Sequence, residues 1–106
     1  MYKSVIGLKE RIHFVGIGGI GMSGLAQVMS SVGYKVQGSD ISYSKNIERC
    51  RKIGIKIFSN HNKNNIANCT IVVKSSAIKN NNPEILEAKK KKLIILKRSE
   101  MLAHVV

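Results

Sequence analysis

The chain has 106 residues, enough for one domain with one hydrophobic core, and 43% of them are hydrophobic, which excludes an intrinsically disordered chain. Its 18 basic and 6 acidic residues give a formal net charge of +12, which raises the alternative of a nucleic-acid partner. However, 14 of the basic residues are Lys, beside 9 Asn and 15 Ile, an excess typical of an A/T-rich genome. No module combining aromatic and basic residues is recognisable, so we expect no nucleic-acid partner.

Residues 12–34 carry no Asp, Glu, Lys or Arg and are long enough to span a membrane. Six Gly interrupt them, so a buried strand, turn and helix is the better interpretation. The first eleven residues lack the apolar core of a signal peptide. We therefore expect a cytoplasmic protein without a membrane partner. Cys50 and Cys69 are expected to be reduced, buried and unrelated to zinc or secretion.

Short apolar runs alternate with helical periodicity along the chain. Five runs predict strands, at residues 12–15, 34–38, 55–58, 70–74 and 93–96. Helical spacing predicts helices at residues 22–32, 45–53 and 83–91 and a last one from about Ser99. Ser44 is a candidate N-cap and Pro83 fits the first helical position. In each helix the apolar positions are expected to share one side: Met22, Leu25, Ala26, Met29 and Val32 in the first, Ile47, Cys50 and Ile53, which should face inward, in the second, and Met101, Leu102 and Val105 in the last.

This alternation predicts a single-domain α/β fold, a Rossmann-like parallel sheet of about five strands with helices on both faces. Right-handed crossovers bring the loops that follow parallel strands to one edge of the sheet. Residues 16–21, 39–40, 59–65 and 75–82 should therefore share one rim. That rim is the expected ligand site.

The glycine loop is the strongest motif of the chain. Gly16, Gly18 and Gly21 fit G-x-G-x-x-G between a strand and a helix. Gly16 permits the tight turn, Gly18 lets the backbone approach a phosphate, and Gly21 lets the helix pack on the sheet. A Val at position 18 is expected to fill the phosphate space and leave the fold intact. The alternative interpretation is a glycine-rich turn needed only for packing.

Other rim residues have weaker patterns. Asp40 follows the second strand, where a carboxylate accepts hydrogen bonds from ribose, although a helix cap or a solvated loop acid also fits. His61 is either a surface residue or a contact for a base. The hydroxyl groups of Ser75 and Ser76 bind a ligand or satisfy local backbone groups, and both interpretations stay open. His13 and His104 are expected to be structural or surface residues.

Several motifs of catalysis are absent from the sequence. There is no G-x-x-x-x-G-K followed by Ser or Thr, no nucleophile beside a base, no His pair at metal-ligand spacing and no carboxylate cluster for Mg²⁺. The residues thus predict a nucleotide-binding domain without catalytic residues. NAD and UDP both contain a pyrophosphate and a ribose, so an NAD-binding regulatory or dehydrogenase domain remains the alternative.

Residues 13–26, HFVGIGGIGMSGLA, closely resemble the opening of the alanine-adding enzymes of the Mur ligase family, which act in peptidoglycan synthesis. Further matches follow in order at residues 38–40, 75–78, 82–84 and 98–103. The resemblance covers residues 11–106, and residues 1–10 form an extension that matches nothing interpretable. A related ligase that recycles murein tripeptide has a similar loop without the full Gly-Gly-x-Gly-Met-Ser run.

The resemblance implies a three-domain cytoplasmic enzyme, of which this chain is the N-terminal, UDP-binding domain. In that enzyme ATP, with Mg²⁺, phosphorylates the lactyl carboxylate of UDP-N-acetylmuramic acid, and L-alanine attacks the acyl phosphate. The domains for ATP and the amino acid are absent from this chain, which alone is expected to be inactive.

The resemblance also implies roles for individual residues. The loop would surround the pyrophosphate, Asp40 would bind ribose, and residues at two later loops would border uracil. Asn60 stands where the family often has Gly, which is a departure in the loop of His61. The implied UDP-binding residues are Gly16, Ile17, Gly18, Gly19, Ile20, Gly21, Met22, Ser23, Asp40, His61, Ser75, Ser76 and Ala77.

Overall fold

A computed structural model describes residues 7–103 of the chain. Its strands are β1 (Arg11–Val15), β2 (Lys35–Ser39), β3 (Lys56–Phe58), β4 (Ile71–Lys74) and β5 (Ile94–Lys97). Its helices are α1 (Met22–Val32), α2 (Lys45–Lys52), α3 (Pro83–Lys90) and α4 (Arg98–Leu102). A 3₁₀ turn, Lys63–Ile66, lies between β3 and β4.

The five strands form one parallel sheet in the order β3-β2-β1-β4-β5. Ile12 of β1 is paired with Val36 on one side and with Ile71 on the other. The chain first builds outward from β1 through β2 to β3 and then returns to build from β4 to β5. Loops after β1 and β4 consequently diverge, and the crevice between them is where open parallel sheets bind ligands.

Helices cover both faces of the sheet, which confirms the predicted fold class. On one face α1, α2 and α4 pack against alternate strand residues such as Phe14 and Val73. On the other face α3 and the 3₁₀ turn pack against Val15 and Val72. Burial on both sides explains why the Ile71, Val72 and Val73 run of β4 is continuously apolar and β-branched.

Local signals set most helix ends. The bounds of α1 agree with the prediction, and Gly33 ends this helix with φ +116°. Ser44 Oγ accepts a hydrogen bond from the Ile47 amide at 3.3 Å, so it is the N-cap of α2. Pro83 takes the first position of α3, and the Asn82 side chain caps that helix. Gly33, Ser44 and Pro83 therefore lie at the helix ends where the sequence predicts them.

Some expected core positions are wrong. Val32 and Ile53 are 55% and 50% exposed; Val32 is the last residue of α1 and Ile53 is the C-cap of α2. Met101 is buried, but Leu102 is 48% exposed. Val105 and His104 lie outside the described residues, as do residues 1–6 of the expected extension.

Both cysteines are buried and free, as predicted. Burial raises the pKa of the Cys50 thiol and raises that of Cys69 to about 11. No helix within residues 7–103 has the length and apolar character needed to cross a membrane.

Candidate functional site

The loops at the carboxyl ends of the strands converge as the sequence predicts. The amides of Gly16 and Ile17 donate to the Ser39 carbonyl at 2.8 and 3.1 Å. The Asp40 amide donates to the Phe58 carbonyl at 3.0 Å. A Cβ atom placed on Gly16 would lie 3.2 Å from Ile78 Cδ1, so the loop after β4 also borders this rim.

The glycine loop leaves two amides at the start of α1 without an acceptor among the residues that the structure describes. Gly16 and Gly21 have φ of +81° and +83°, a conformation that glycine adopts without strain. The Gly18 amide donates to Asp40 Oδ2 at 2.9 Å and the Gly19 amide to the Gly16 carbonyl at 3.1 Å. Within residues 7–103 the amides of Ile20 and Gly21 have no acceptor. Free amides at a helix N-terminus favour an anion.

Gly18 does not face an open phosphate space. A Cβ atom at this position would lie 2.9 Å from Asp40 Oδ2 and 3.0 Å from Ile47 Cδ1. The reason expected for the effect of a Val at position 18 is therefore wrong, since the side chain would collide with the protein itself. Gly18 is needed for the close packing of the loop on Asp40 and α2.

Asp40, which directly follows β2, is hydrogen-bonded to the glycine loop. Its Oδ2 accepts from the Gly18 amide and its Oδ1 from the Ser42 amide, both at 2.9 Å. Ser44 caps α2, so the interpretation of Asp40 as the helix cap is wrong. Each carboxylate oxygen retains a second lone pair, which leaves capacity for a ribose hydroxyl.

A cationic cleft opens beside the free amides, with a volume of about 490 Å³. A Cβ atom on Gly21 would lie 3.2 Å from Arg98 Nε, so this guanidinium covers the end of the loop. Lys74 Nζ donates to Asn80 Oδ1 at 3.1 Å. Among residues 7–103, those that line the cleft include three cationic side chains and no carboxylate; they are Ile20, Met22, Lys74, Ser75, Ser76, Lys97, Arg98 and Ser99.

The cations of this cleft are absent from the residues predicted for the site. Lys74 ends β4, Lys97 ends β5, and Arg98 follows directly. Their positions in the sequence could have indicated these cations, because the carboxyl ends of all five parallel strands share one rim.

The structure does not bring every predicted residue into this cleft. Ser75 and Ser76 line it, whereas Ala77 is exposed on the same loop. His61 lines a separate, more open groove of about 500 Å³ between the 3₁₀ turn and α3. Asp40 borders a third, smaller depression of about 150 Å³ together with Ser42 and Tyr43.

A buried polar network joins the rim to α3. Glu84 is fully buried and accepts hydrogen bonds from His13 Nε2 at 2.7 Å, Ser39 Oγ at 2.6 Å and Asn65 Nδ2 at 2.7 Å. Burial raises the pKa of Glu84, but these hydrogen bonds and the charge of a protonated His13 outweigh it and hold the pKa below its usual value. The sequence pattern does not reveal this role of Glu84, because an acid in the first turn of a helix is also typical of an exposed position.

His13 is structural and fully buried, one of the two possibilities that the sequence leaves for it. Its Nδ1 accepts from Gln37 Nε2 at 2.8 Å, and the same amide nitrogen donates to the Asn65 carbonyl at 2.7 Å. When His13 is neutral, these contacts place its proton on Nε2, the nitrogen that faces Glu84.

Comparison with known proteins decides the family. A family model described as "Mur ligase family, catalytic domain" matches residues 11–106. The chain belongs to the Mur ligase family. Among its relatives, UDP-N-acetylmuramate–L-alanine ligase of Pelagibacter ubique (strain HTCC1062) is 66% identical over 97 residues, which are 92% of this chain and 21% of that protein. The enzyme of the same name from Rickettsia bellii (strain OSU 85-389) is 54% identical over 97 residues, 92% of this chain and 20% of that protein.

One solved structure agrees with this assignment to the Mur ligases, and a second shows the same fold. UDP-N-acetylmuramate-alanine ligase MurC from Thermotoga maritima superposes with a TM-score of 0.83 at 40% identity, over 87% of this chain and 21% of that one. UDP-N-acetylmuramate:L-alanyl-gamma-D-glutamyl-meso-diaminopimelate ligase (MPL) from Neisseria meningitides, at 22% identity, has the same fold, with a TM-score of 0.82 over 89% of this chain and 30% of that one. The chain spans about a fifth of the length of the curated relatives it matches.

The part of this Mur ligase chain that the structure describes contains no cluster of three or more His, Cys, Asp or Glu able to hold a metal ion.

Proposed function

We propose that this chain is the UDP-binding part of a cytoplasmic, ATP-dependent ligase that joins L-alanine to UDP-N-acetylmuramic acid in peptidoglycan synthesis. One observation carries the proposal: the unpartnered amides of Ile20 and Gly21 lie at the start of α1 beside a cleft with three cationic side chains. The family match and the names of the relatives support the choice of ligand.

The pyrophosphate of the nucleotide sugar is the group that this cleft suits. The amides of Ile20 and Gly21 lie at the N-terminus of α1, where free N–H groups can bind a phosphate. Arg98 offers planar, paired N–H donors. Hydrogen bonds to charged groups contribute about 1.5–3 kcal/mol each, so a few of them give a useful affinity. Lys74 and Lys97 add positive charge to the cleft, but an ammonium group lacks the planar, paired donors of a guanidinium.

The uridine of the ligand would lie along the rim. Asp40 remains our candidate for the ribose, since its carboxylate has free lone pairs beside the loop. We assign the uracil to the region of His61, Ser75, Ser76 and Ala77. Because His61 and Ser75 line separate depressions, a base that contacts both must cross the rim between them.

The proposed reaction needs parts beyond this chain. ATP supplies the phosphoryl group that activates the lactyl carboxylate, and the amine of L-alanine then displaces phosphate to form the amide. The described residues offer binding groups for the nucleotide, and among them no group of three or more His, Cys, Asp or Glu could hold a metal ion. We expect the 106-residue chain to bind UDP-N-acetylmuramic acid and to form no product on its own.

Titration calorimetry of the purified chain with UDP-N-acetylmuramic acid and with NAD tests the proposal. We expect tighter binding of the nucleotide sugar and a loss of about tenfold in affinity for Arg98→Ala. Arg49→Ala is the matched control, because Arg49 lies on the exposed side of α2 and donates to Asn46. Tighter binding of NAD, or equal effects of the two substitutions, would contradict the proposal.

A further inference from the structure

The direction of the Ser39 hydroxyl hydrogen bond determines which ring nitrogen of His61 carries a proton and which can accept a hydrogen bond from a ligand. Four donors surround the Glu84 carboxylate: His13 Nε2 and Ser39 Oγ reach Oε1, while Asn65 Nδ2 and the Asn62 amide reach Oε2. A carboxylate only accepts, so each neighbour must direct a hydrogen at it. The single hydroxyl proton of Ser39 is therefore committed to Glu84.

Ser39 Oγ also lies 2.8 Å from His61 Nδ1. Since the hydroxyl has already donated its proton, its oxygen must accept here, and His61 Nδ1 must carry the hydrogen. The distance from His61 Nδ1 to Glu84 Oε1 is 3.6 Å, too long for a direct hydrogen bond. Ser39 thus links Glu84 to His61: its hydroxyl donates to the carboxylate, and its oxygen accepts from His61 Nδ1.

The other ring nitrogen of His61 is free. Within residues 7–103 it has no hydrogen-bond partner, and no unpartnered side-chain nitrogen or oxygen is fully buried there. His61 Nε2 therefore reaches solvent, where the imidazole lines the groove between the 3₁₀ turn and α3. In neutral His61 with the proton on Nδ1, Nε2 presents a bare lone pair.

We propose that Ser39, anchored by Glu84, is a positioning residue that holds His61 in the Nδ1–H tautomer, so that Nε2 accepts a hydrogen bond from the ring N–H of the ligand's base. The inference rests on the proposed function, which places a uridine nucleotide at this rim. Uracil has such an N–H at ring position 3, whereas cytosine has an acceptor there. The arrangement selects uridine over cytidine nucleotides by the direction of one hydrogen bond.

The first measurement concerns the tautomer and needs no ligand. In nitrogen-15 NMR of the labelled chain at pH 8, where an ordinary His is neutral, His61 should show a protonated Nδ1 and an unprotonated Nε2. Ser39→Ala should convert it to the other tautomer or to a mixture. Ser31→Ala is the control, because the Ser31 hydroxyl only donates to the Val28 carbonyl of its own helix. An Nε2–H tautomer in the wild type would overturn the inference.

The second measurement compares UDP and CDP by titration calorimetry. The wild type should prefer UDP, and Ser39→Ala should reduce this preference about tenfold while the affinity for CDP changes little. His61→Ala should lose the preference as well, and the double variant should lose no more, because both residues act through one hydrogen bond. Circular dichroism establishes that each variant is folded.

The outcomes separate the two proposals. If the wild type binds UDP and Ser39→Ala keeps the full preference over CDP, the positioning role is wrong and the proposed function stands. If the wild type does not bind UDP, the proposed function fails, and the inferred selection of the base fails with it. Additive losses in the double variant would contradict a shared hydrogen bond.

Discussion

Gly38→Ala should destabilise the protein strongly, although Gly38 has an ordinary strand conformation. A Cβ atom at this position would lie 2.6 Å from Ile17 Cδ1, 2.7 Å from Ile17 Cβ and 2.9 Å from the Phe14 carbonyl oxygen. Ile17 is fully buried, and two of the three atoms are not the far end of a flexible side chain, so the strand and the glycine loop must separate. Replacing Gly in a strand gains about 0.5–1 kcal/mol, which offsets only part of an overpacking cost of about 3 kcal/mol.

The expected net loss for Gly38→Ala is about 2 kcal/mol in the free energy of unfolding. With a denaturant slope of about 1–2 kcal/mol per molar urea, the midpoint of unfolding should fall by about 1–2 M. Because Ile17 belongs to the glycine loop, the affinity for UDP-N-acetylmuramic acid should fall as well.

Gly24→Ala is the matched control for this substitution. Gly24 lies in the interior of α1, and a Cβ atom there meets nothing within 4 Å. The better helix propensity of Ala should raise stability by about 0.8–1 kcal/mol. Urea unfolding followed by circular dichroism measures both variants. If Gly38→Ala unfolds at the wild-type midpoint, or if both substitutions shift it in the same direction, the reasoning from close packing is refuted.

Three further predictions concern the network, the thiols and a helix cap. The folded pKa of Glu84 is depressed, so its stabilisation is present above its usual pKa of about 4.3 and is lost as the pH falls through the folded value. Glu84→Gln should lower the free energy of unfolding in urea by about 2–3 kcal/mol at pH 7 and by less at low pH. An equal loss at both pH values would contradict the link between the depressed pKa of Glu84 and stability. Cys50 and Cys69 should resist a thiol reagent at pH 8 in the folded chain and react fully in urea; rapid labelling of folded protein would show that burial does not protect them. Ser44→Ala should lower stability by about 1 kcal/mol and Ser31→Ala by much less, so equal urea midpoints would argue against the cap of α2.

Much of the fold could be predicted because its signals are local. The apolar run of β1, the glycine turn and the stripe of α1 lie within about twenty consecutive residues, and parallel topology followed from the alternation of strands and helices. The 3₁₀ turn Lys63–Ile66 was missed, since a single short turn has no hydrophobic period to detect. Val32 and Ile53 were assigned to the core because periodicity does not show where the opposing sheet ends.

The candidate site was predicted in outline and not in its contacts. The rim rule brought the glycine loop near Asp40, but it could not show that the carboxylate accepts from the Gly18 amide. Arg98 stands 77 residues after Gly21 in the chain, and only the packing of α4 places its guanidinium over that glycine.

The sequence by itself determined the class of fold, the family and the edge of the sheet at which a nucleotide should bind, because strand runs, caps and glycine turns act between near neighbours. Only the tertiary structure decided which amides of the described residues stay free, which cations share the cleft and which groups surround His61. These depend on hydrogen bonds between residues as far apart as His13 and Glu84, which are 71 positions apart in the chain, and such pairings arise only once the sheet has assembled.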